Sequence, residues 1–311
     1  MSLEIAGNEI AVWLPPLIAF VISTFTSMGG ISGAFLLLPF QMSVLGFTSP
    51  AVSSTNQLYN IIAIPSGVWR YIKEGRMVWP LTWIVVIGTL PGVFLGAFIR
   101  ILYLPDPVNF KFFAGLVLLY IGIRLIQDLK RKKNIKNNSE DRFSKLIKNY
   151  KKNLEKNIEL PRTKVNEFSI TNMEYEFYSE KFKVSTISIA IISFIVGIIG
   201  GIYGIGGGAI IAPVFVAFFG LPVYTIAGAA LMGTFITSIA GVIFYQILSY
   251  FYTDIMIAPE WMLGILFGIG GFAGMYFGAY LQKYIPAMII KIILVISICF
   301  IALKYIWEFV K

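Results

Sequence analysis

The chain has 311 residues, 57% of them apolar and only 13% charged, with a formal net charge of +9. Soluble domains carry about 25% charged residues, so this composition excludes an ordinary soluble enzyme or a basic nucleic-acid module and implies a polytopic membrane protein. With no histidine, the commonest metal ligand and neutral-pH proton relay is missing; with Cys299 alone, so is an intramolecular disulfide.

Taken in chain order, the first half reads as five segments, roughly 11–28, 33–46, 51–72, 79–100 and 108–128. The first lacks a basic leader and follows Glu4 and Glu9, so no cleavable signal peptide is expected. A connector follows over 129–184. It opens Lys130-Arg131-Lys132-Lys133 and holds 15 Lys/Arg against 8 Asp/Glu between Lys130 and Lys183, so most of the net charge lies there. Basic loops mark the cytoplasmic side, and a contact with anionic lipid is a second reading of the four adjacent cations. The second half repeats the pattern at roughly 185–203, 208–220, 224–248, 261–281 and 286–307. The expected domains are therefore a membrane repeat over 1–128, the connector 129–184 and a second repeat over 185–311.

The repetition rests on a shared offset. Gly30, Ile31, Gly33, Pro39, Gly46, Gly67 and Val68 recur 174 positions later as Gly204, Ile205, Gly207, Pro213, Gly220, Gly241 and Val242. An eight-residue insertion carrying Asp254 and Glu260 then moves the match of Gly96-Ala97 to Gly278-Ala279. Segments 33–46 and 208–220 are too short to cross hydrocarbon alone, since 13 residues of helix give about 20 Å against a core of about 30 Å. Each first-and-second pair is expected to be a helix broken at its glycines or a re-entrant hairpin. That leaves an odd number of crossings per half, so the two repeats are expected to be inverted. The connector and the loop with Arg70, Lys73 and Arg76 go inside, and the N-terminus, Asp254 and Glu260 go outside; Arg100, Lys111 and Lys311 also fall outside, against the trend.

Glycine breaks in a membrane leave backbone groups that protein, water or ligand must satisfy. A helix restarting after such a break presents free N–H groups and the positive end of its dipole. Paired breaks in matching places of two halves point to a transport site near the midplane. The residues expected to bind a small anion are Gly30, Ser32, Gly33 and Ala34 at the first break and Gly204, Gly206, Gly207 and Gly208 at the second. Ser54, Thr55, Asn56 and Gln57 at the start of the third segment join them, with Thr234 in the second half. The competing explanation is close helix packing by small residues and interhelical hydrogen bonding. Arg70, Arg100 and Arg124 lie near span ends, where they can snorkel, and no carboxylate is clearly mid-span. No catalytic residues, cofactor or metal are expected. A Gly-rich string between spans lacks the strand–helix context of a nucleotide loop.

The pattern Gly-Gly-Ile-x-Gly leading to Pro39, with Ser-Thr in the next helix, resembles the TauE/SafE sulfite-exporter family. So does the aromatic-basic turn from Trp69 through Gly75 to Trp79, and the second copy, Gly200 to Gly208 with Pro213, is the closer match. The resemblance covers nearly the whole chain except the connector. It implies a plasma-membrane transporter, without enzyme activity, of a small sulfur-containing oxyanion such as sulfite or sulfoacetate. Ser32 and Ala34 depart from the second copy's Gly206 and Gly208, and the turn near Tyr71 lacks a histidine. Export with the inside negative is the favoured direction. An anion channel, uptake of a related anion and a non-transporting membrane partner remain open, as does the oligomeric state.

Overall fold

The computed structural model describes residues 2–5, 8–28, 32–73, 75, 77–134, 163–177, 180–221, 223–281 and 287–311. Its first element is not in the sequence reading: strands β1 (Ser2–Ile5) and β2 (Asn8–Ala11) form an antiparallel hairpin that sets Glu4 opposite Glu9. Helix α1 (Leu14–Met28) follows, with Pro15 and Pro16 in its first turn, where a missing N–H costs nothing. Helix α2 (Ala34–Ser43) is ten residues long, too short to span.

The expected third segment is interrupted. Helix α3 (Ala51–Ala63) stops at Ile64 and α4 (Pro65–Lys73) starts at once, because Pro65 has no N–H for the preceding turn and its ring crowds that turn's carbonyl. Helix α5 (Trp79–Leu102) and α6 (Pro107–Asn134) complete the first half. Asp106 starts α6 by accepting from the N–H groups of Val108 and Asn109, both at 2.9 Å.

The connector holds more structure than its composition suggested. Strands β3 (Lys164–Phe168), β4 (Asn172–Phe177) and β5 (Glu180–Ser185) form an antiparallel sheet with β4 in the middle. The alternation in β4 is physical: Met173, Tyr175 and Phe177 are buried while Glu174 and Glu176 face outward, register partners of Lys183 and Lys181. The Tyr175 phenol meets the Thr225 hydroxyl at 2.8 Å; burial pushes its pKa above the usual phenol range, partly opposed by that bond. Thr163, just before β3, donates to the carbonyl of Met77 at 2.9 Å.

Helix α7 (Thr186–Tyr203) begins at Ser185, whose hydroxyl accepts from Ser188 N–H. Helices α8 (Gly208–Phe219), α9 (Val223–Leu248), α10 (Trp261–Leu281) and α11 (Ala287–Val310) follow. Among the described residues five helices, α5, α6, α7, α9 and α10, contain stretches long and apolar enough to cross a membrane. The outward faces agree: Ile187, Ile191 and Ile195 on α7, and Ile296, Phe300, Leu303 and Trp307 on α11, are exposed. Meanwhile Gln41, Ser53, Ser54, Thr55, Asn56, Gln57 and Asn60 are fully buried. Apolar residues outside and polar residues inside is the order a bilayer imposes. This is a helical, multi-pass membrane protein.

Packing crosses between the halves. Helix α1 lies against α10, α5 against α7, and α6 against α11, with α3 and α9 meeting in the middle. Two glycine ladders make the first two contacts close. Gly88, Gly92 and Gly96 bring α5 onto the backbone of α7, and Gly270, Gly274 and Gly278 bring α10 onto Pro16, Phe20 and Thr24 of α1. Small residues every fourth position let helix backbones touch in lipid. At one end of the α6–α11 pair, Lys111 and Glu308 form an ion pair at 2.9 Å.

Arg100 departs from the expectation that it snorkels. In the last turn of α5 it is fully buried, donating to the carbonyls of Leu104 and Thr48.

Candidate functional site

The second break is complete. Helix α7 ends at Tyr203, Gly204 and Gly206 take the left-handed conformation at φ +81 and +71, and α8 restarts at Gly208. Only glycine adopts such angles without penalty, and two within three residues turn the chain sharply. At the first break, α1 ends at Met28 and Ser32-Gly33 lead into α2; Gly30 lies outside the described residues.

Unwinding exposes carbonyls, and side chains supply donors to several of those at the crossing. Asn56 Nδ2 donates to Ala34 O at 2.9 Å and to Gly204 O at 3.2 Å, so one side-chain amide spans both breaks. Asn60 Nδ2 donates to Ile205 O at 3.1 Å, while Asn60 Oδ1 accepts from Ser32 Oγ at 2.8 Å. Ser53 Oγ donates to Ile202 O at 3.1 Å, and the Tyr203 phenol donates back to Phe35 O at 2.8 Å. In a low-dielectric interior an unpaired carbonyl costs several kcal/mol, so α3 acts as a comb of donors laid across both breaks.

The N–H sides of the breaks are held by hydroxyls. Ala34 N–H donates to Ser32 Oγ at 3.3 Å, and Gly207 N–H to Thr237 Oγ1 at 3.3 Å. Gly206 faces Thr234 and Ser238: a Cβ there would lie 2.9 Å from Thr234 Cγ2 and 3.0 Å from Ser238 Oγ. At Gly207 it would lie 2.5 Å from Thr89 Cβ, and at Gly33 2.5 Å from the Tyr59 hydroxyl. That hydroxyl is itself bonded to Ser23 Oγ at 2.7 Å.

Of the residues expected at the site, the structure gathers Ser32, Gly33, Ala34, Asn56, Gly204, Gly206, Gly207 and Thr234 around one crossing. Gly208 is the first residue of α8. Gln57 is fully buried beside Gly241, with no hydrogen-bond partner on either amide atom. Ser54 and Thr55 point elsewhere. Ser54 Oγ donates to Ile257 O at 2.8 Å and Thr55 Oγ1 accepts from Glu260 N–H at 2.8 Å, which ties α3 to the inserted loop before α10. Ser53, Thr89 and Tyr203 were not among the residues expected to bind. Tyr203 carried a signal, since it is the last residue before the break. Thr89 carried none, because its role depends on α5 lying against the second break.

Among the described residues, no group of three His, Cys, Asp or Glu could hold a metal ion. The arrangement is a neutral, hydrogen-bonding crossing of two interrupted helices, with buried amides and hydroxyls not all spoken for.

Comparison with known proteins fits this architecture. The family model for Sulfite exporter TauE/SafE matches residues 16–305. The chain is 23% identical over 295 residues to a probable membrane transporter protein, YunE, of Bacillus subtilis (strain 168), covering 91% of this chain and 94% of that protein. No solved structure matches. With glycine-broken helices, a polar interior and a match along nearly its full length, the chain belongs to the TauE/SafE sulfite exporter family of membrane transporters.

Proposed function

We propose that this chain moves a small sulfur-containing oxyanion, sulfite or an organosulfonate such as sulfoacetate, outward across the plasma membrane. The site is the crossing of the two breaks, midway between repeats of inverted topology. The observation that carries the reading is Asn56, whose single amide reaches Ala34 O at one break and Gly204 O at the other. A ligand arriving there competes for the same donors. Gly30, Ser32, Gly33, Ala34, Gly204, Gly206, Gly207 and Gly208 supply backbone, Gln57 and Thr234 supply polar side chains, and Ser54 and Thr55 hold α3 in place.

Membership of the sulfite exporter family supports sulfite as the first substrate to try. The reciprocal contacts, α1 on α10 and α5 on α7, support a two-fold relation of the halves. In an inverted pair the sheet β3–β5 lies on the cytoplasmic face and the inserted loop on the opposite one. With a negative interior, an outgoing monovalent anion gains about 2.3 kcal/mol per 100 mV, so no coupling ion is needed and rocking between the halves alternates access.

The test is flux in proteoliposomes. Sulfite or sulfoacetate efflux is expected to follow an imposed membrane potential and to saturate with substrate. Flux that ignored potential and followed a pH gradient would refute uncoupled export, and unitary currents without saturation would indicate a channel. For orientation, Ile170→Cys in a Cys299→Ser background should react with an impermeant thiol reagent only from the cytoplasmic side. Labelling from outside would reverse the topology.

A further inference from the structure

Among the described residues Arg100 is the buried cation, and the neutral crossing does not use it. It is fully buried in the last turn of α5. Its guanidinium lies 3.7 Å over the Phe110 ring, donates to Thr48 O at 3.3 Å and to Leu104 O, and leaves Nε with no partner. Arginine carries five N–H donors, so two carbonyls leave most of its edge unspent. Among the described residues no carboxylate pairs with it. Asp106, six residues away, is engaged in starting α6 instead.

A buried charge without a counter-ion is costly, and in membranes such residues mark ion and substrate pathways. The surroundings make that specific. Tyr245 packs with Ala97 and Ile101, the neighbours of Arg100 on α5. The Tyr245 phenol donates to Gly201 O at 3.3 Å, and the Ser53 hydroxyl donates to the neighbouring Ile202 O at 3.1 Å. Arg100, Tyr245 and Ser53 thus form a polar track from the end of α5 to the last turn of α7, next to Gly204. In the loop that supplies Thr48 O, the Ser49 hydroxyl is also buried without a partner.

We propose that Arg100 is a second anion subsite, in the last turn of α5, where a small oxyanion takes up the free guanidinium edge on its way to or from the crossing. This deepens the transport reading and rests on it. The ligand class is a compact oxyanion with at least two oxygens on one centre, because the guanidinium fork suits paired oxygens.

Sulfite and sulfate binding to the purified full-length protein, read by calorimetry and by thermal shift, tests it alongside flux. Arg100→Gln is expected to weaken sulfite binding at least tenfold, and Arg100→Lys, which keeps the charge but loses the fork, by a smaller factor. Tyr245→Phe is expected to slow flux while leaving equilibrium binding within about twofold. Unchanged binding in Arg100→Gln overturns the subsite. Equal losses in the Lys and Gln variants, with equal falls in ligand-free Tm, also overturn it, because Arg100 would then only staple carbonyls. Arg100-dependent binding in a protein that moves no anion keeps the subsite and defeats the transport reading. A native protein that neither binds nor moves these anions defeats both.

Discussion

At the residue scale, the crossing depends on a few side chains that serve backbone rather than each other. Asn56→Ala withdraws the donor from Ala34 O and Gly204 O together. Stranding buried acceptors costs about 1–3 kcal/mol, so a lower Tm in detergent and a flux loss of at least about tenfold are expected; near-native values in both would remove Asn56 from the site. Gly207 tests close approach. A Cβ there lies 2.5 Å from Thr89 Cβ, and overpacking costs about 1–3 kcal/mol. Gly207→Ala should therefore destabilise, and adding Thr89→Gly should recover part of the loss. A double variant no better than the single would show the strain lies elsewhere. The sequence made Gly207 conspicuous through its offset partner Gly33, but Thr89 became visible only when α5 was laid against the second break.

At the element scale, what could be read depended on period. The apolar runs of α5, α7 and α10 announce themselves by length, and the breaks by paired glycines. The stop at Pro65 was legible in principle, as a proline inside a helical run, and was passed over because the surrounding stretch stays apolar. The sheet β3–β5 was hidden by composition: Met173, Tyr175 and Phe177 alternate with Glu174 and Glu176 inside a segment whose lysines dominate any count. Tyr175 ties this sheet to α9 through Thr225. Tyr175→Phe should cost about 0.5–1.5 kcal/mol. Because the folded phenol's pKa is raised, its contribution is complete below the unfolded value of about 10 and lost as pH rises past it. Stability measured from pH 8 to 11 should fall for the native chain and fall less for Tyr175→Phe. Parallel curves would mean that Tyr175 does not titrate on unfolding.

At the scale of the whole molecule, the halves seen in the sequence are not the bodies seen in the fold. Every bond to another element named for Ser53, Ser54, Thr55 and Asn60 runs from α3 to the second half, except that from Ser32 to Asn60. Asn56 reaches Gly204 there as well. Any rocking motion must therefore carry α3 with elements from beyond the connector. The paired breaks were legible because their glycine spacing can be read directly in sequence; the interlocking was not, because it arises from which ladder meets which helix.

The two glycine ladders have a consequence for how such a chain can come into being. Gly88, Gly92 and Gly96 find their groove on α7, and Gly270, Gly274 and Gly278 find theirs on α1, so neither half owns an interior it can close alone. Severed within the connector and produced separately, each fragment should be degraded in the membrane. Produced together, the two should survive and co-purify as one complex, recovering most of the flux. A fragment that accumulates by itself would contradict this. If it holds, one repeat is half of an obligate pair, and the connector is the covalent record of two chains that once had to find each other.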